Sequence, residues 1–247
     1  VVPVHEGPGA RFPVVDFHGH PGILTSSETV ERVVAAMDEL NVQVMVQAIP
    51  SSGTRLTRQI DAVRASGYSE RCVFFASLDL ENVGPGSGAR IASQLREDVR
   101  NGAVGVGEIQ KSFGLTTRKA DGSRLQLDDP ELDVVWETAG QLGIPVFIHS
   151  GDPPEFFEPL DYEIERWLEM ALFPNRQFND LSRFPSFDEL MAERDRLIAG
   201  HPNTTWVLAH MGWHTQELGG QRENIDRHTN VHADGRADLY EQARQPR

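Results

Sequence analysis

A single cysteine, Cys72, in 247 residues excludes an internal disulfide framework and any cysteine-rich metal site. Metal chemistry therefore falls to histidine and carboxylate, and Cys72, opening an apolar run, reads as core. Long apolar runs are missing as well: no segment approaches the ~20 residues needed to span a bilayer, so no membrane span is expected. Basic charge is scarce, with 23 Lys and Arg against 37 Asp and Glu and a formal net charge of −14. That balance excludes a nonspecific grip on nucleic acid or anionic lipid, which needs cations to neutralise phosphates. The chain starts at Val1 and shows no charged segment followed by an apolar one, so no targeting peptide is visible, although one already removed would leave the same sequence. A cytoplasmic location is the expectation.

With 39% hydrophobic and 24% charged residues, what remains is an ordinary globular composition. The length suits two small domains or one α/β barrel, and we read residues 1–247 as a single barrel domain. Short apolar runs recur at Val14–His20, Val42–Ile49, Cys72–Leu80, Ala103–Gln110, Pro145–Asp152, Thr204–Gly212 and Asn230–Ala237. Several are apolar on both faces, as parallel strands covered on each side must be. Helical patterns fall between them: Val30, Val33, Val34, Met37 and Leu40 after a serine cap, then Ile60–Ala65, Ile91–Val99, Pro130–Leu142 and Phe187–Ile198. Asp129 is placed to cap the fourth, Pro130 to begin it and Gly143 to end it. Strands alternating with helices imply a parallel sheet, in a barrel or a doubly wound layer.

One connection breaks the rhythm. An aromatic-rich insertion at about 153–202 carries Phe156, Phe157, Trp167, Phe173, Phe178, Phe184 and Phe187. It reads either as a specificity lid or as a helical subdomain packing its aromatics internally or on a partner subunit. Two weaker signals take plain readings: the Gly-rich stretch 83–90, which precedes a helix and could otherwise cradle a phosphate, as a flexible βα loop, and Asn203-Thr204-Thr205, which fits a glycosylation acceptor, as a turn.

Chemistry concentrates in the histidines. VVDFHGH puts His18 and His20 two apart on a strand, where alternate side chains share a face and lie roughly 7 Å apart, within reach of one ion. Nine histidines placed at random in this chain would give about 0.3 such pairs, so the pair alone says little. Company strengthens it: PVFIHSGD and WVLAHMG place His149 and His210 at the ends of the fifth and sixth runs, and GVGEIQ places Glu108 at the end of the fourth. In a barrel these ends converge on one mouth, whereas in an open sheet the first and fifth strands would not meet.

These four motifs, in this order over residues 14–212, resemble the amidohydrolase superfamily, and within it the amidohydrolase-related group that includes aminocarboxymuconate semialdehyde decarboxylase. The resemblance implies a (β/α)8 TIM-type barrel with His18, His20 and His149 as metal ligands, Glu108 as a further ligand and His210 as the catalytic imidazole. The implied cofactor is a divalent metal, zinc foremost, which in an open site lowers the pKa of water towards ~7. For His210 the plain alternative is a buried histidine satisfied by backbone, and for Glu108 an ion pair to Lys111 or Arg118. Asp16 reads as a supporting residue, and His5, His201, His214, His228 and His232 as surface or turn residues.

Relatives close the barrel with an eighth strand bearing a metal-binding Asp, and this sequence offers only seven strand candidates; Asp234 does not match that position. The barrel is thus expected to lack its last strand and helix, the chain to be a fragment, or a partner chain, a second copy included, to cover the open seam. The leading functional expectation is a metal-dependent hydrolase of a carbon-nitrogen or carbon-oxygen bond in a small molecule. A nonoxidative decarboxylase of an aromatic or muconate-type acid, with Arg176 and Arg183 (and more loosely Arg166) gripping the carboxylate, is the second, and an inactive barrel the third.

Overall fold

The structure is a computed structural model and describes residues 9–213 and 229–235. Its strands are β1 (Val14–Gly19), β2 (Val42–Gln47), β3 (Cys72–Ala76), β4 (Ala103–Ile109), β5 (Val146–Ile148), β6 (Trp206–Leu208) and β7 (Val231–Ala233). Strand order in the sheet is chain order, and the pairings among the described residues are parallel. Between them run α1 (Ser27–Glu39), α2 (Gly53–Ala65), α3 (Ser87–Asn101), the short α4 (Ser112–Leu115), α5 (Asp133–Leu142), the short α6 (Trp167–Leu172) and α7 (Phe187–Gly200). The chain divides into two compact units, Val1–Leu78 with Ser93–Glu108, and Asp79–Ala92 with Ile109–Arg247.

In the first unit regular elements do most of the work. Ser26 starts α1 through a capping box: its hydroxyl accepts from the Thr29 N–H at 3.3 Å, and the Thr29 hydroxyl accepts from the Ser26 N–H at 3.2 Å. The helix then buries Val30, Val34 and Met37, one stripe at helical spacing, and each such side chain removed from water contributes about 1.5–3 kcal/mol. Asn41, in the left-handed region at φ 58°, turns the chain into β2. Along β4, Gly105 lies under the Phe75 ring of β3, where a Cβ would come within 2.4 Å of the ring, so no larger residue fits. Phe17 meets the same ring edge-on at 5.4 Å. Cys72 is buried, and burial pushes its thiol pKa up, as expected of a core residue.

The second unit leans more on polar anchors. Asp129 accepts from the Glu131 N–H at 3.0 Å, a 3₁₀ turn over Pro130–Leu132 leads into α5, and Gly143 at φ 66° ends it. Trp136 of α5 packs on Trp206 of β6 at 5.5 Å. A Glu193 carboxylate of α7 with no exposed side-chain surface accepts from Arg124 Nη1 at 2.9 Å, from Arg124 Nη2, from Gln126 Nε2 at 3.1 Å and from the Leu127 N–H at 3.1 Å. In the segment at 153–202, Phe157 packs against Phe178 and Phe187, each at 5.5 Å, and Phe184 against Phe178 at 5.2 Å, while Tyr162, Trp167 and Phe173 stay exposed. Part of it, α7, is simply the helix that precedes β6.

The turn reading at Asn203-Thr204-Thr205 is borne out, whereas the stretch 83–90 runs from a turn into the first residues of α3. Gly84 donates its N–H to Ser87 Oγ and Gly88 donates to Glu131 Oε1, both at 3.0 Å, so these amides are occupied within the protein rather than presented to a phosphate. Thr204, buried after Asn203, donates its hydroxyl to the Trp136 carbonyl at 2.9 Å. His201 departs from the surface expectation: it is buried at the end of α7, with Nε2 3.2 Å from Asp133 Oδ1. His232 lies in β7 and is exposed; His5, His214 and His228 lie outside the described residues.

Candidate functional site

In the first unit, β1 delivers His18 on its last turn of pleat and His20 just past its end, so both imidazoles keep the parity the sequence implies. The His18 N–H donates to Asp16 Oδ1 at 3.1 Å; Asp16 itself is exposed and acts on the backbone of the strand end. From β4, Glu108 brings one oxygen to both rings: His18 Nε2 is 3.2 Å and His20 Nε2 3.4 Å from Glu108 Oε2. The two rings stand 5.1 Å apart, tilted by 50°. Ligand atoms of the three residues all lie within 4.8 Å of one another. His18 and Glu108 are each 6% exposed, whereas the His20 side chain is 31% exposed and gives the group an opening to solvent.

That donor set suits a divalent ion. Two imidazole nitrogens and one carboxylate oxygen aimed at a common point form a familiar three-residue set for catalytic zinc, with space for a further ligand. Glu108 is thus held by the two histidines. Lys111 is engaged elsewhere, 2.7 Å from Asp152 Oδ2, and Arg118 Nη2 donates to the Arg183 carbonyl at 3.2 Å.

In the second unit, His149 follows β5 directly and is tied back by its own N–H, which donates to the Ile109 carbonyl at 2.9 Å. Beyond β6 the chain leaves the ladder in a turn over Ala209–Trp213, with φ 53° at His210, 54° at Met211, 61° at Gly212 and 59° at Trp213. Left-handed backbone at a non-glycine residue costs of order 1–3 kcal/mol and persists only where its surroundings over-determine it. The turn presents the His210 ring edge-on to His149 at 4.5 Å and stacks it on Trp213 at 4.8 Å and 29°. Trp213 also reaches His149, at 5.7 Å. His210 is 9% exposed.

Three residues near these histidines were absent from the sequence expectation. Asp152, three places after His149 in the quoted HSGD run, is buried; burial pushes its carboxyl pKa up, opposed by the Lys111 ammonium. Trp213 lies beside the WVLAHMG motif, and Arg194 comes from α7 with its guanidinium buried. Arg176, by contrast, is half-buried, bonded to Glu169 and placed over the Phe173 ring at 4.8 Å. Arg183 is exposed over the Phe184 ring at 5.1 Å, and Arg166 pairs with Glu169 at 3.4 Å.

The family model described as Amidohydrolase matches residues 78–245. Among solved structures, 4-oxalomesaconate hydratase LigJ from Rhodopseudomonas palustris is similar at 14% identity, with a TM-score of 0.53 over 90% of this chain and 74% of that one. An uncharacterized TIM-barrel protein from Bordetella bronchiseptica is similar at 15% identity, with a TM-score of 0.52 over 90% of this chain and 75% of that one. A comparison with curated proteins finds no match. At these identities the structural likenesses concern fold, and the fold is of the TIM-barrel class, with seven strands among the described residues. Among those residues no helix is long and apolar enough to cross a membrane.

Proposed function

Because the chain belongs to the amidohydrolase family, we propose that it is a metal-dependent hydrolase of a carbon-nitrogen or carbon-oxygen bond in a small molecule. The observation that carries this reading is the convergence of His18 Nε2 and His20 Nε2 on one oxygen of Glu108. In it, His18, His20 and Glu108 would hold the ion, zinc foremost, and the family resemblance adds His149 as the candidate for a further ligand. A divalent ion so held supplies Lewis-acid chemistry, polarising a carbonyl and making water a nucleophile near neutral pH.

This chain's own groups would do the rest. His210, fixed by its stack on Trp213, is suited to take a proton from the attacking water and return it to the leaving nitrogen or oxygen. The edge of His149 beside it limits the ways the ring can turn. Arg176 would grip a substrate carboxylate by exchanging its Glu169 partner for it, with Arg183 as the second candidate; the Arg176 charge already acts on Asp152.

Metal analysis of the purified chain tests the reading. Zinc should bind stoichiometrically to the wild type, and Glu108→Gln should weaken it by more than the 10–100-fold typical of losing a group that merely supports a ligand. Unchanged bound metal in both His18→Ala and His149→Ala would sink the site. Amine release from a panel of small amides and proton release from a panel of small lactones then read the chemistry, with chelation abolishing both and zinc restoring them. Carbon dioxide released without consumption of water would instead make the chain a nonoxidative decarboxylase, the second activity the sequence suggests.

A further inference from the structure

We infer that Arg194 is a positioning residue for His210, acting through the carbonyl of Gly212; the inference rests on the reading of His210 as the proton-handling imidazole. His210 does not sit on a strand. It sits in a turn whose four residues from His210 to Trp213 are all left-handed, and glycine occupies only one of the four positions. Such a turn does not hold itself, so its geometry comes from whatever grips it.

Two grips are visible. On one side, the Met211 N–H donates to the Asp234 carbonyl at 2.7 Å, and the Asp234 N–H donates to the Leu208 carbonyl at 2.9 Å, which tethers the turn to the chain beyond β7. On the other, Arg194 Nη1 donates to the Gly212 carbonyl at 2.8 Å. Arg194 is 1% exposed, and an arginine is brought into such a place at a desolvation cost that only good hydrogen bonds offset. Its fit is close: a Cβ on Gly212 would lie 3.1 Å from Arg194 Nη1 and 3.1 Å from Leu208 Cδ1. The gripped carbonyl belongs to the residue between Met211 and Trp213, so the guanidinium fixes the peptide that carries the indole on which His210 stacks at 4.8 Å.

The guanidinium is anchored to α7 by its neighbour. Arg194 Nε and Nη2 lie 3.3 and 3.2 Å from Asp195 Oδ1, and the Asp195 side chain is 48% exposed. That contact provides a control, because it touches the same guanidinium without touching the turn.

The test uses the full chain and carbon-proton NMR of the histidine rings, with the His210 signals identified by their loss in His210→Gln. Stacking on an indole shifts the His210 ring protons upfield in the wild type. Arg194→Met, close in length and without donors, and Arg194→Lys, which keeps a cation but not the planar fork, should both move those signals downfield while the His201 signals stay in place. Asp195→Ala should leave His210 where it is. In a hydrolytic assay kcat should fall by up to about 100-fold in Arg194→Met with a smaller change in KM, the expected consequence of a misplaced catalytic group. Unmoved His210 signals in either Arg194 variant, or an equal shift in Asp195→Ala, would overturn the inference. A wild type that turns over none of the substrates would instead count against the hydrolase reading, since the ring shifts are read without turnover.

Discussion

The two histidine groups are held in place by different physics. His18 and His20 inherit their positions from the end of β1, which pairs parallel to β2 with register irregularities between Val14 and Val15 and between Asp16 and Gly19, and Glu108 inherits its position from β4; neighbouring strands do most of the aiming. His210 is aimed by a left-handed turn, a buried arginine and a backbone tether, none of which is regular secondary structure. Regular elements make a site cheap to specify, because each residue's direction follows from its place in the repeat. Irregular ones permit a direction that no strand offers, at the cost of depending on a few buried polar contacts.

If that contrast is right, the second unit should break at a single buried charge. Glu193→Ala strips Arg124, Gln126 and the Leu127 amide of a shared acceptor at the helix that also carries Arg194. The Arg124 side chain is only 14% exposed, so its cation would be left largely out of water and without its main partner. Removing one member of such a pair costs about 3–5 kcal/mol, read as a drop in the urea midpoint. A double variant, Arg124→Met with Glu193→Leu, should recover much of the loss, since the penalty lies in the stranded charge. A loss below about 1 kcal/mol in Glu193→Ala, the range of an exposed pair, would show that the network does not hold this unit.

The same contrast explains what could be read in advance. The seven strands and the pairing of His18 with His20 are legible, because apolar runs and strand parity are properties of neighbouring residues; Glu108 joins them only through the barrel reading, which brings strand ends to one mouth. The strand ends read too long at β3, β5 and β6, where the ladder stops at Ala76, Ile148 and Leu208; after Leu208 the chain turns through non-glycine residues at positive φ, which leave no mark in composition. The apolar pattern marks helix α2 only from Ile60, whereas it starts at Gly53. It opens on Gly53, Thr54 and Arg55, with Leu56 the one apolar residue of its first turn, and its start is fixed from a distance by Asp98, whose Oδ1 accepts from the Gly53 N–H at 2.8 Å. Arg194 was invisible for the same reason: a buried arginine on a helix looks, in sequence, like a surface one.

Asp98 also offers a smaller test, inside the first unit. It is 1% exposed, its Oδ1 serves Gly53 and the Gln94 amide, and its Oδ2 has no hydrogen-bond partner among the described residues. Burial pushes its carboxyl pKa above the usual carboxylate value, with the two hydrogen bonds opposing. Between the ordinary value and the raised one the folded chain binds the proton that the unfolded chain has lost, so this group's contribution to stability falls as pH rises through that window and is fully relieved below it. Asp98→Asn keeps an acceptor for the Gly53 amide and removes the charge. It should flatten that part of the stability-against-pH curve, measured by urea unfolding at a series of acidic pH values; an unchanged curve would show that Asp98 is not the source.

The smallest effect is expected where the first unit is most regular. Ser26→Ala removes the hydroxyl that accepts from Thr29 and leaves one amide of the first turn of α1 to water. The cap is exposed, so the amide finds a solvent partner, and the loss should be about 0.5–1 kcal/mol, a shift of a few degrees at most in Tm. Val30, Val34 and Met37 still bury the same stripe, so α1 stays in place and His18 and His20 keep their aim. Zinc affinity should therefore be the same in Ser26→Ala as in the wild type. A cap variant that weakened zinc binding along with stability would mean that the β1 site depends on distant local contacts as much as the His210 turn does, and the distinction between the two units would dissolve.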